Sequence, residues 1–207
     1  AMRAGPPCTR GWSARQGELE SKEVTAKKSS QQPMFLIAIP QLGDPNFVRS
    51  VVLILHHDGE GAFGLVVNHP IELTLGAFAR EHSMACHSRV RDVPVLRGGP
   101  VEPTRGWILH EDGELAERED VLPGLAVSGS MESLTHLLAE GTSMRLLLGY
   151  AGWGEGQLEH EMAQGSWLTV EADPKHVLVT PASECWNAIL REMGVDPARL
   201  AIGTGIH

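Results

Sequence analysis

The stretch Gly149-Tyr150-Ala151-Gly152-Trp153-Gly154-Glu155-Gly156-Gln157 concentrates the residue types a ligand site would use. Read as a strand feeding a glycine loop that opens a helix, it would offer free backbone N–H groups to an anion and let the ligand approach closely. It is neither the G-x-G-x-x-G fingerprint nor a Walker loop: no Lys-Ser/Thr follows, and Glu155 and Glu159 would oppose a phosphate. The plainer use is a tight strand-to-helix turn with Trp153 packed on a sheet, and this use is preferred. Gly152, Trp153 and Gln157 stand as ligand-binding candidates. Arg97-Gly98-Gly99-Pro100 with Arg105 is the second candidate. Gly98 and Gly99 leave the backbone open, and the arginines could fork onto a carboxylate or phosphate. The plainer use is a shaped turn with an arginine paired to an acid such as Glu102. In Asp44-Pro45-Asn46-Phe47-Val48-Arg49-Ser50, Asp44 and Arg49 are candidates either for a pair that pins the loop or for a polar pair beside a cleft.

Ten histidines invite a metal reading. His82 and Cys86 are four apart on a possible helix, with His87 adjacent. His56 and His57 would point to opposite faces of a strand. There is no H-E-x-x-H and no Cys pair, so no metal site is expected. Hydrolysis finds no better footing: Val127-Ser128-Gly129-Ser130-Met131 matches G-x-S-x-G only loosely, and Ser130 reads as a helix cap. Cys185 falls early in a helix, where the N-terminal dipole could lower its pKa; a buried structural thiol is the plainer reading. No catalytic residue and no cofactor is assigned.

These candidates need a scaffold. Phe35–Ile39 is a continuous apolar run closed by Pro40 and reads as a buried strand. Ser50–His57 and Ala62–Asn68 read as two more, joined through the turn Asp58-Gly59-Glu60-Gly61. Three apolar strands with short links predict a central sheet buried on both faces or a small closed barrel. Thr74 caps a helix through about Glu81, and residues 83–93 are ambiguous. Val95–Arg97, Gly106–His110, Leu125–Val127 and Met144–Gly149 are strands, with an acidic surface loop over 111–121. Ser130 caps a helix over Met131–Glu140 that Gly141 stops. A helix follows near Glu155–Gln164, then strands at Trp167–Val170 and Val177–Val179. Ser183 caps a last helix ending at Met193-Gly194.

Charge divides the chain. Residues 1–33 hold six basic and three acidic residues, a net +3; the rest holds 11 basic and 23 acidic, a net −12. The first segment is rich in Gly, Pro, Ser, Gln and Lys and reads as a flexible N-terminal tail, with a thin-faced helix possible over 16–28. Met34 is a candidate translation start. Residues 34–207 read as one folded domain. A body at −12 repels a phosphate backbone, so direct nucleic-acid binding is not expected. Three scattered cysteines (Cys8, Cys86, Cys185), no transmembrane-length apolar run and no secretory h-region predict a cytoplasmic location without a membrane partner.

Several strings then align with one family. They include Phe35-Leu36-Ile37-Ala38, Asp44–Val51, Gly61-Ala62-Phe63-Gly64-Leu65-Val66-Val67-Asn68-His69-Pro70, Arg97-Gly98-Gly99-Pro100-Val101, Arg105–His110, Gly149–Glu159, Ser166-Trp167-Leu168 and Trp186–Gly194. From Met34 onward the chain resembles the AlgH/YqgE family of bacterial proteins. His56-His57 and His69 are departures, since no fixed histidine is expected there. The resemblance implies an α/β (α+β) fold with a central bifurcated mixed sheet, a small barrel-like part and surrounding helices. It implies no established activity. The family carries a transcriptional-regulator label through a link to alginate production, and no characteristic DNA-binding motif supports that label here. The leading expectation is a non-enzymatic binding or regulatory domain with a protein partner. The alternative is a small-ligand binder or enzyme using the Gly152–Gln157 loop with Gly98, Gly99 and Arg105.

Overall fold

A computed structural model describes residues 33–202 apart from 114 and 116. The expected tail, with its helix over 16–28, lies outside the described residues except for Pro33.

The apolar runs become strands because their side chains alternate between two buried faces. Strand β1 (Met34–Ala38) sends Phe35 and Ile37 to one core and Leu36 and Ala38 to another. β2 (Val51–Asp58) and β3 (Gly61–Val66) form the expected hairpin, Asp58 facing Gly61. β4 (Pro70–Thr74) leads into α1 (Leu75–Glu81), whose first turn is capped by Thr74 Oγ1 accepting from Ala77 N at 3.2 Å. β5 (Pro94–Arg97), β6 (Val101–His110), β7 (Glu119–Leu122) and β8 (Leu125–Ser128) follow. α2 (Met131–Glu140) begins at Ser130 and ends at left-handed Gly141. β9 (Met144–Gly154), α3 (Gln157–Ala163), β10 (Trp167–Glu171), α4 (Pro174–Leu178), α5 (Ala182–Glu192) and α6 (Pro197–Ile202) complete the chain.

The strands make one open, largely antiparallel sheet in the order β10-β1-β2-β3-β9-β6-β8-β7. The barrel-like part implied by the resemblance is an open end here, because β10 pairs with β1 alone. The sheet does fork. β5 runs parallel to β9 at Leu147 and Leu148, while β3 pairs with the same strand at Ala151–Gly154. Gly98 stands at the fork, its N–H on Leu148 O at 2.7 Å and its carbonyl taking Val66 N–H at 2.8 Å. Helix α5 covers one face through Cys185, Trp186, Ile189 and Leu190. α3 covers the opposite face beside β1–β3. α1 and α2 cover it beside β5 and β6.

Four local expectations need correcting. The glycine stretch is not a loop: β9 continues through Gly154, because β3 pairs with it there and satisfies its backbone. Val177–Val179 is not a strand. Pro174 sits at a helix start, and Asp173 caps it by accepting from Lys175 N at 2.9 Å, which turns the short β-branched run into α4. Ser183 lies inside α5, which starts after Pro181 without a side-chain cap. The acidic segment after His110 also contributes β7, paired with β8 at the sheet's end.

Candidate functional site

Strand β9 carries a kink at Gly149, φ +76°. A Cβ there would lie 2.6 Å from Gly99 O and 2.9 Å from Val101 O. The contact is mutual: a Cβ on Gly98 would meet Gly149 O at 2.3 Å, and one on Gly99 the Tyr150 carbonyl carbon at 2.1 Å. Two backbones cross here with no side chain between them, which is what these glycines do. Opposite the kink, β6 is offset. Val101 pairs with Tyr150 and Gly106 with Leu148, so Glu102–Arg105 bulge out of the ladder.

That bulge and the kink bring an aromatic group together. Phe63, Trp107 and Tyr150 lie with ring centroids 5.0 Å (Phe63–Trp107), 5.0 Å (Phe63–Tyr150) and 6.4 Å (Trp107–Tyr150) apart. All three are half-buried at the margin of the α5-side core. The Arg105 guanidinium stacks over Trp107 at 4.6 Å and reaches Glu102 at 3.5 Å. Trp107 Nε1 is buried and has no hydrogen-bond partner among the described residues. Burial, then the Glu102 charge, pushes the Tyr150 phenol up. Gly152 is exposed beside the Tyr150 ring: a Cβ there would sit 3.5 Å from it. Gly98, Gly99, Arg105 and Gly152 therefore converge on one place.

Trp153 and Gln157 belong to the other face of the sheet. Trp153 Nε1 and Trp167 Nε1 donate to the same Glu161 oxygen at 3.0 and 2.8 Å. Gln157 Nε2 donates to the second oxygen at 2.9 Å, and Gln157 Oε1 accepts from Gly154 N. Phe47 stacks on Trp153 at 6.0 Å. One carboxylate thus fastens α3 to β9 and β10. His57 adds a bond to Glu159 at 2.6 Å, which holds that carboxyl below its usual range.

Asp44 and Arg49 are not brought together as a pair. Asp44 accepts from Asn46 N and Nδ2 within its own turn, and Arg49 lies over the Trp186 ring at 5.5 Å. Asn68 holds this segment in place, taking Val51 N–H at 2.7 Å and donating to Arg49 O at 2.8 Å. His69 also meets it, 3.3 Å from Ser50 Oγ. Cys185 is fully buried and its thiol is pushed up to about 12 by burial, which outweighs any lowering by the helix start. His82 ends α1 and Cys86 lies beyond it, so they share no helix face; among the described residues no group of three His, Cys, Asp or Glu could hold a metal ion. Sequence reasoning did not single out Phe63, Trp107, Tyr150 or Glu161. Only Glu161 had a readable signal, four residues after Gln157 on one helix face.

The sequence pattern of the AlgH-like family matches residues 35–198. The chain belongs to the AlgH-like family. A UPF0301 protein of Myxococcus xanthus is 49% identical over 176 residues, covering 84% of this chain and 97% of that protein. One from Vibrio cholerae is 38% identical over 179 residues, with coverage of 83% and 96%. The solution structure of the AlgH protein from Pseudomonas aeruginosa superposes with a TM-score of 0.66 at 34% identity, over 87% of this chain and 99% of that one. The crystal structure of a Corynebacterium diphtheriae protein shares the fold, with a TM-score of 0.64 at 22% identity, over 85% and 93%. The chain thus shares the fold of the AlgH protein, and no helix among the described residues is long and apolar enough to cross a membrane.

Proposed function

We propose that this AlgH-like protein is a non-catalytic binding domain, and that the Phe63–Trp107–Tyr150 group with Arg105 is where a protein partner docks. The observation that carries the reading is the cluster itself. Tyr, Trp and Arg are the side chains that dominate binding energy at protein interfaces. Here they lie adjacent and half-covered at the margin of the core. The net charge of −12 over residues 34–207 disfavours nucleic acid, so any regulatory role is read as running through a protein partner.

Site-specific photocrosslinking tests this. A benzoylphenylalanine at position 150 is expected to capture a discrete partner, and capture is expected to fall in the R105E background. The same probe at Val179, which is exposed, serves as the control. Identical capture from positions 150 and 179, or capture indifferent to R105E, would refute the proposal.

A further inference from the structure

Where the chain passes from β3 into β4, at Asn68-His69, three basic residues become neighbours. Asn68 Nδ2 donates to Arg49 O at 2.8 Å. His69 Nε2 lies 3.2 Å from Val48 O and 3.3 Å from Ser50 Oγ, so the imidazole touches the residues on both sides of Arg49. Across from Arg49, His69 O accepts from Arg97 N at 2.8 Å. The Arg97 charge is near enough to the imidazole to lower its pKa, after burial. The backbones of Arg49 and Arg97 thus flank His69 at about one strand spacing each, roughly 10 Å in all, a gap that two arginine side chains can close. Both arginines are exposed, and no carboxylate of the described residues lies within ion-pair distance of either.

In a body of net −12 this is a local reversal of sign, and like charges gathered without a counter-ion are relieved by an anion. The donors are free to meet one. The Arg49 guanidinium lies over the Trp186 ring at 5.5 Å, a contact through its flat face that leaves the in-plane N–H groups unused. Val48 O can only accept, so His69 Nε2 carries the ring proton, and Nδ1 is open to a second proton beside an anion. We propose that Arg49, His69 and Arg97 bind a small phosphate monoester, one terminal oxygen to each side chain. Three terminal oxygens and a charge near −2 match three separate donors, whereas a carboxylate brings two oxygens and one charge. A nucleic-acid strand would press further phosphates against the acidic body, while a single phosphate meets only the local patch. The site does not rest on the aromatic docking reading.

The test is a titration of the ¹⁵N-labelled full chain with phenyl phosphate, inorganic phosphate and acetate at neutral pH and matched ionic strength, because salt screens exposed charges. Both phosphates are expected to shift the amides of Arg49, Ser50, His69 and Arg97 saturably, and acetate to bind at least tenfold more weakly. R97Q removes an exposed guanidinium and leaves the β4–β5 backbone bonds in place, so it is expected to weaken phenyl phosphate about tenfold, the loss of one charge-assisted hydrogen bond. R49Q is expected to do the same, and because it also uncovers Trp186, R97Q is the deciding variant. R89Q removes another exposed arginine without an ion pair and is expected to leave affinity unchanged. No saturable shift with phenyl phosphate would overturn the proposal, even if inorganic phosphate bound. So would acetate binding as tightly as phenyl phosphate, wild-type affinity in R97Q, or a loss in R89Q equal to that in R97Q, which would mark diffuse attraction rather than a site.

Discussion

The backbone crossing at Gly149 can be tested by adding one carbon. In G149A the new methyl would sit 2.6 Å from Gly99 O and 2.9 Å from Val101 O, both backbone atoms that move only with their strands. The residue must also hold φ +76°, which costs a non-glycine residue roughly 1–2 kcal/mol. Overpacking adds about 1–3 kcal/mol, so the expected loss is about 2–5 kcal/mol. For a domain of this size that lowers the melting temperature by roughly 4–20 °C. Two neighbours calibrate the result. Gly156 has φ +68° but open space around a Cβ, so G156A should lose only the backbone part, about 1–2 kcal/mol. Gly154 has neither constraint, and G154A should stay within about 0.5 kcal/mol of wild type. Urea unfolding followed by far-UV circular dichroism gives all three. A G149A midpoint matching G154A would refute the idea that these glycines exist to let strands cross.

Three other outcomes follow from the same geometry. E161A removes the acceptor for two indole N–H groups and should cost about 2–4 kcal/mol, with loss of near-UV ellipticity from Trp153 and Trp167; an unchanged urea midpoint would count against the clamp. His69 and His110 are both held below their ordinary pKa, first by burial. The native state therefore binds fewer protons than the unfolded chain below pH 6.5, so this stability is present above pH 6.5 and is lost as pH falls; urea midpoints that stay flat or rise from pH 7.5 to pH 5.5 would contradict it. In a C8S chain, Ellman's reagent at pH 8 should label Cys86, which is half-exposed, and spare Cys185 until denaturant is added; prompt loss of two thiols would show that Cys185 is accessible.

Much of the scaffold was legible because local chemistry decided it. Thr74 and Ser130 cap the helices they were expected to cap, and Gly141 stops α2. Phe35–Ile39 reads as a strand because both faces of the sheet are covered, leaving a continuous apolar run. Legibility failed where distant partners decide. Tyr150 to Gly154 looks like a loop from its glycines, yet Ala151 and Trp153 alternate with Tyr150 and Gly152 across a strand that β3 completes from almost a hundred residues away. Val177–Val179 looks like a strand until Asp173 and Pro174 start a helix just before it. The aromatic group joins Phe63, Trp107 and Tyr150 from three strands, and the groove bordered by Arg89, Glu111, Glu140, Arg145 and Leu178 assembles from four segments. No spacing within one segment encodes either.

The placement of β1 has a consequence for how the chain is made. This strand lies between β2 and β10, yet β10 is encoded at residues 167–171, about 130 residues downstream. At a synthesis rate of roughly 5–20 residues per second, one rim of a fully apolar strand stays unpaired on the ribosome for about 7–26 s. During that interval nascent copies are exposed to strand-to-strand adhesion with one another, and the last strand to emerge is the one that ends the hazard.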